Sequence, residues 1–179
     1  AIKRTATFWN RKIVMVSSPT VKGASRVEAA WLKSNRQSYW VPCPDCGHLQ
    51  ILRWPNLEWP DGDPAAAAYR CEHCAAPIPG YRKAWMLARG EWRPANPGSK
   101  VAGFWINQLY SPWKEWGETA AEFLEAKDNP ETLRTFVNTA LGEPWDDEAH
   151  TSVDLATLLA RREHYGPKLP AGVVVLTCG

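Results

Sequence analysis

Apolar side chains fall along this chain in short groups of different spacing, and each spacing predicts its own element. The first is an unbroken run, Ile13-Val14-Met15-Val16, closed by Ser17-Ser18-Pro19-Thr20. Continuous apolar runs suit a strand covered on both faces of a parallel sheet. Ser25-Arg26-Val27-Glu28 then has the form of a capping box, with Val27, Ala30 and Trp31 on one helical face. Shorter β-type groups predict strands at Ser38 to Val41, Leu49 to Trp54 and around Tyr69, with a Pro/Gly/Asp turn from Pro60 to Pro64. Ile78-Pro79-Gly80 opens a helix that stops at Gly90, and Val101 to Leu109 reads as one more strand.

Three helices are expected beyond that. Ser111-Pro112 and Asn129-Pro130 each place a polar cap before a proline at the first helical position, and Gly142 stands where a helix-ending glycine belongs. A third helical pattern covers about 153–164, followed by a Gly166-to-Pro170 linker and a last apolar run, Gly172 to Thr177. The runs at the two ends need neighbours to bury them, so the chain is expected to be a middle segment of a longer protein. The fold class is α+β: an end fragment of a parallel sheet, a β-rich centre, an acidic helical region and an orphan C-terminal strand.

Chemistry concentrates in the centre. Cys43 and Cys46, in Val-Pro-Cys-Pro-Asp-Cys-Gly-His, pair with Cys71 and Cys74, in Tyr-Arg-Cys-Glu-His-Cys. Two residues between cysteines let a tight turn aim both sulfurs at one point, and Gly47 can take the left-handed conformation such turns use. Two such knuckles complete a four-thiolate zinc site, closed to water and structural rather than catalytic. Disulfides require an oxidising compartment, yet Lys3, Arg4, Arg11 and Lys12 surround an apolar run too short for a secretion signal. A redox pair explains one Cys-x-x-Cys rather than two matched ones. His48 and His73 lie beside the knuckles and could substitute as ligands, but four thiolates already fill the shell; Cys178 has no partner nearby and reads as an ordinary buried thiol.

Charge is unevenly placed. Residues 1–40 hold eight Lys or Arg against Glu28 alone, whereas residues 111–164 hold five against twelve acids. A basic end suits a polyanion, and an acidic end something else. The acidic trio Asp146-Asp147-Glu148 reads as a solvated turn rather than a nuclease site, and Arg26 as a surface residue of the first helical turn. The 11 tryptophans divide between two roles, core mass in a small module and stacking platforms for bases. No nucleophile–base pair stands out, which argues against a self-sufficient enzyme.

Three stretches, Ser-Ser-Pro-Thr-Val-Lys-Gly-Ala-Ser-Arg-Val-Glu-Ala-Ala from residue 17, Tyr-Trp-Val-Pro-Cys-Pro-Asp-Cys-Gly-His from 39, and Phe-Val-Asn-Thr-Ala-Leu-Gly-Glu-Pro-Trp from 136, together resemble the large subunit of lambda-type tailed-phage terminases. The resemblance implies a parent with an N-terminal ATPase that drives DNA into a procapsid and a C-terminal metal-dependent nuclease. It assigns residues 1–37 to the end of the ATPase, 38–110 to a zinc-ribbon module, 111–166 to a helical connector and 167–179 to the first nuclease strand. On it, Ser17, Ser18 and Thr20 are the ATPase coupling residues.

The Gly-x-x-x-x-Gly-Lys-Ser/Thr phosphate loop does not occur here, and the nuclease carboxylates are expected past Gly179. The segment itself is therefore expected to be neither ATPase nor nuclease. It is expected to be a zinc-stapled connector or, alternatively, a zinc-ribbon module gripping the packaged duplex. Zn2+ is its own cofactor, while ATP and Mg2+ belong to the parent. The parent's implied partners are double-stranded DNA, the terminase small subunit, the portal and further copies of itself, in the host cytoplasm and without a membrane.

Overall fold

The computed structural model describes residue 5, residues 7–147 and residues 159–160. Contacts divide the chain into two units, 1–146 and 147–179. In the second, Leu159 and Ala160 are helical, within the helix expected over 153–164; the rest of that helix, the linker and the run at 172–177 lie outside the described residues.

The first unit is a mixed α+β body. Helix α1 spans Arg26–Leu32, capped as expected by Ser25, whose hydroxyl accepts from the Glu28 N–H. The reciprocal bond differs from the standard box: Glu28 accepts at 2.9 Å from the Gly23 N–H, because the Ser25 N–H is already bonded to the Val21 carbonyl. Strand β1, Gln37–Pro42, is the hub of one sheet. It pairs antiparallel with β2, Leu49–Gln50, and with β6, Glu91–Pro94, and parallel with β7, Phe104–Trp105. A second sheet has the order β3–β4–β5, built from Leu57–Glu58, Ala68–Arg70 and Pro77–Pro79. A 3-10 turn at Gly80–Arg82 leads into α2, Lys83–Leu87, the helix expected after Pro79.

Helices α3, Trp116–Ala126, and α4, Pro130–Phe136, form the acidic region. Asn129 caps α4 with Pro130 at its first position, and Gly142 ends the following π-turn, Val137–Leu141, in the left-handed conformation. Gly117 lets α3 approach the 3-10 turn Pro64–Ala66: a Cβ there would sit 2.8 Å from the Pro64 carbonyl oxygen.

One hydrophobic core runs from Val41 through Leu52, Tyr69, Ile78, Met86 and Leu109 to Trp116 and Ala120. Burying each large side chain of this kind contributes about 1.5–3 kcal/mol. Trp54 links it to a smaller cluster under α3 and α4, with ring centroids 5.0 Å from Phe123 and 5.1 Å from Phe136. The tryptophans divide by burial: Trp116 and Trp145 are buried core mass, while Trp9 and Trp113 are almost fully exposed.

Four expectations change. No strand forms over residues 12–16, and Val14 and Val16 are exposed; the described residues place no strand beside them. Among the described residues the parallel-sheet fragment predicted there does not form, and their parallel pairing is that of β1 with β7 and a bridge between Val21 and Trp145. The strand expected over Leu49 to Trp54 pairs only at Leu49–Gln50, because Tyr and Asn side chains take over the backbone of residues 51–53. That expected over Val101 to Leu109 shortens to Phe104–Trp105, ending where Asn107 caps a 3-10 turn, Gln108–Tyr110. Finally, Ser111-Pro112 does not begin α3: the Ser111 hydroxyl accepts from the Trp113 N–H in a local turn, and Glu115 with Glu118 forms the capping box.

Candidate metal centre

The two cysteine turns are built alike. One joins β1 to β2 and the other joins β4 to β5, and each repeats the same backbone bonds. The Cys43 N–H donates to the His48 carbonyl at 2.8 Å and the Gly47 N–H to the Cys43 carbonyl at 2.9 Å. In the second turn the Cys71 N–H donates to Ala76 at 3.0 Å and the Ala75 N–H to Cys71 at 3.0 Å. Gly47 and Ala75 stand at the same place, both left-handed, with φ of 73° and 57°.

That equivalence gives a paired prediction. A left-handed non-glycine residue costs about 1–2 kcal/mol, offset partly by the entropy glycine loses on folding. Ala75→Gly is expected to raise stability by about 1 kcal/mol and Gly47→Ala to lower it by about as much, since a Cβ at Gly47 meets nothing within 4 Å. Urea unfolding midpoints of the metal-loaded protein check both signs.

The turns face each other. All four Sγ atoms lie within 4.8 Å of one another, an arrangement that could hold a metal ion. Across the turns, the Cys43 and Cys74 sulfurs are 3.9 Å apart and those of Cys46 and Cys71 3.8 Å. Cys43 and Cys71 are buried, Cys46 and Cys74 exposed. Burial pushes the Cys43 thiol up to about 12, against the pull of the Cys46 and Asp45 N–H groups. Burial also opposes the Cys71 thiolate, but N–H donors from Cys74 and His73 and the Cys43 side chain hold that thiol below its usual range. Backbone donors aimed at sulfur, in two matched turns, are what a thiolate–metal cluster requires. Among the described residues the metal-capable group consists of these four cysteines.

His48 and His73 stack on each other at the edge, ring centroids 4.7 Å apart, and His48 Nε2 lies 3.5 Å from the Glu72 carboxylate. Gln50 is a participant that the sequence did not single out. Fully buried on β2, it accepts from the Glu72 N–H at 3.0 Å and so ties the first hairpin to the second turn. A lone glutamine between Leu49 and Ile51 was the available signal.

Ser17, Ser18 and Thr20 are exposed and do not join the metal centre. They line one open hollow of about 600 Å³ together with Arg26. The Ser17 hydroxyl donates to the Ser18 carbonyl at 2.9 Å, and the Thr20 carbonyl accepts from the Trp145 N–H at 2.8 Å. Lys22 and Asp146 close that junction as a 2.6 Å ion pair, so one acid of the trio meets the basic end.

Residues 1–92 match the family described as phage terminase large subunit gpA, ATPase domain, and residues 101–179 match terminase large subunit gpA, endonuclease domain. The chain belongs to the phage terminase large subunit family. It is 29% identical over 194 residues to the terminase large subunit of Enterobacteria phage P21, and 29% identical over 192 residues to that of Escherichia phage lambda. Each alignment covers 94% of this chain and 30% of the relative, so the chain spans less than a third of these terminase subunits. No solved structure matches. Both cysteine turns fall in the stretch matched to the terminase ATPase domain, while Leu109, Tyr110, Trp116 and Ala120 of the same core fall in the stretch matched to the endonuclease domain. Among the described residues no helix is long and apolar enough to cross a membrane.

Proposed function

We propose that this chain is the metal-stapled connector between the ATPase and endonuclease parts of a terminase that packages phage DNA. The carrying observation is that one continuous core, fastened at one end by the four convergent thiols, spans both family-matched stretches. Cys43, Cys46, Cys71 and Cys74 would hold Zn2+. Four thiolates complete its preferred tetrahedron and leave no position for substrate, so the ion supplies rigidity rather than chemistry. In this reading residues 1–37 end the motor, 38–110 carry the zinc module, 111–166 form the helical connector and 167–179 open the nuclease. ATP and Mg2+ serve the parent's other parts, and its partners are double-stranded DNA, the small subunit, the portal and further copies of itself in the host cytoplasm. Ser17, Ser18 and Thr20, grouped with Arg26 around one hollow, are the coupling residues of that motor.

A second reading, a nucleic-acid grip, is favoured by two arginine–indole stacks. The Arg89 guanidinium lies 4.5 Å from the Trp85 ring centroid and that of Arg93 lies 5.5 Å from Trp40, both arginines being exposed. Cationic aromatic surfaces of this kind stack on bases and track phosphates.

One set of measurements separates the readings. In a parent terminase carrying Cys71→Ser and Cys74→Ser, ATP hydrolysis and DNA cleavage are expected to survive separately while packaging into procapsids is lost. Duplex binding by the 179-residue chain is expected to be weak even at low salt. Packaging at the normal rate in the double variant would remove the connector. Tight binding that falls steeply with salt, weakened by Arg89→Ala and Arg93→Ala, would establish the grip instead.

A further inference from the structure

The two hairpins obey one template, and they break it in one matched place. In each, the residue two before the first cysteine pairs across the strands with the residue seven after it: Val41 with Gln50, and Tyr69 with Ile78. All four are fully buried. Three are hydrophobic, and the fourth is a glutamine whose Nε2 has no hydrogen-bond partner. An apolar residue at this place would remove that orphan donor and its cost. Something else must hold the glutamine there.

The residue just after the first cysteine of each turn explains it. In the second turn this is Glu72, whose N–H donates to Gln50 Oε1 at 3.0 Å. In the first turn the same place is Pro44, which has no N–H. Ile78, the counterpart of Gln50, therefore has no donor to satisfy. Glutamine faces the turn with an amide, and isoleucine belongs to the hairpin whose opposite turn carries a proline.

We infer that Gln50 is a positioning residue of the metal centre, fixing the second cysteine turn against the first through the Glu72 amide. The inference rests on the metal-binding reading above. Glu72 directly follows Cys71, and the next two N–H groups, of His73 and Cys74, are those directed at the Cys71 sulfur. Holding the Glu72 amide from outside thus orients the peptide run that presents those donors. Partners that orient metal ligands typically contribute about 10- to 100-fold in metal affinity.

The test is a double-mutant cycle on the 179-residue chain, with Zn2+ and Co2+ affinity read by chelator competition and the thiolate-to-cobalt absorption recorded. Gln50→Ile is expected to weaken metal binding by about 10- to 100-fold. Glu72→Pro, which copies the first turn, should weaken it as well, because it strands the buried amide. The double variant should regain most of the affinity and the wild-type cobalt spectrum, and Glu72→Ala, which keeps the N–H, should bind nearly as the wild type. Should Gln50→Ile fail to fold, recovery in the double variant still carries the inference. Wild-type affinity in Gln50→Ile, or additive losses in the double variant, would overturn it. Absence of metal binding by the wild type would instead remove the metal centre itself.

Discussion

Chelation is expected to abolish the cooperative thermal melt of this chain, and elemental analysis before chelation to find about one zinc per chain. The magnitude follows from what the metal replaces. Structural zinc in small modules contributes an apparent ~10–16 kcal/mol, comparable with the whole ~5–15 kcal/mol stability of a domain. The hairpins it would join are short: β2 and β3 have two residues each, and β4 and β5 three. Such strands are marginal alone. Cys71→Ser should reproduce most of the loss, because it takes away a buried ligand sulfur and leaves the Cys74 and His73 N–H groups without that acceptor. Cys46→Ser, at an exposed corner, should lose less. Acid acts in the same direction: protons compete with the metal for the thiolates, so metal is released and the melt falls as pH drops. An unchanged melt after chelation, with no metal recovered, would end the staple.

Tyr110→Phe is the second large loss expected, and it is independent of metal. The Tyr110 hydroxyl accepts from the Leu52 N–H and donates to the Tyr39 carbonyl, both at 2.7 Å. Burial keeps that phenol protonated far above its ordinary range. Phenylalanine preserves the ring but strands the buried Leu52 N–H, at about 1–3 kcal/mol, and takes a donor from the half-buried Tyr39 carbonyl. A loss of about 2–4 kcal/mol is expected in urea unfolding of the metal-loaded protein, while Tyr81→Phe, at an exposed position, should change almost nothing. A loss below about 1 kcal/mol for Tyr110→Phe would show that the strap is not what holds residues 51–53.

These two expectations also mark where sequence reasoning succeeded and stopped. The cysteine spacing announced the convergence of four thiols because each turn is local: four residues, one left-handed position and a strand on either side suffice to aim two sulfurs. Asn129-Pro130 and Gly142 were legible for the same reason, since caps depend on near neighbours. The segment Ile51 to Arg53 was not. Its apolar pattern matches a strand, but its backbone is satisfied by Tyr69, Asn107 and Tyr110, from 16 to 58 residues away in sequence. Ser111-Pro112 misled for a different reason. A true capping box, Glu115 with Glu118, lay four residues on and offered two bonds where Ser111 offers one. Gln50 escaped notice because its role is visible only when the two hairpins are laid over each other.

The stretch between residues 92 and 101, where the two family matches meet, looks like a natural crossover point for building hybrids of related chains. The shared core makes it a poor one. A hybrid joined there would set Val41, Leu52 and Tyr69 from one parent against Leu109, Tyr110 and Trp116 from another, and the Tyr110 strap would depend on a backbone it did not evolve with. Residues 37–141 therefore have to be inherited as a single cassette, and exchanges of the flanking parts between related chains should succeed only when their joints fall outside it.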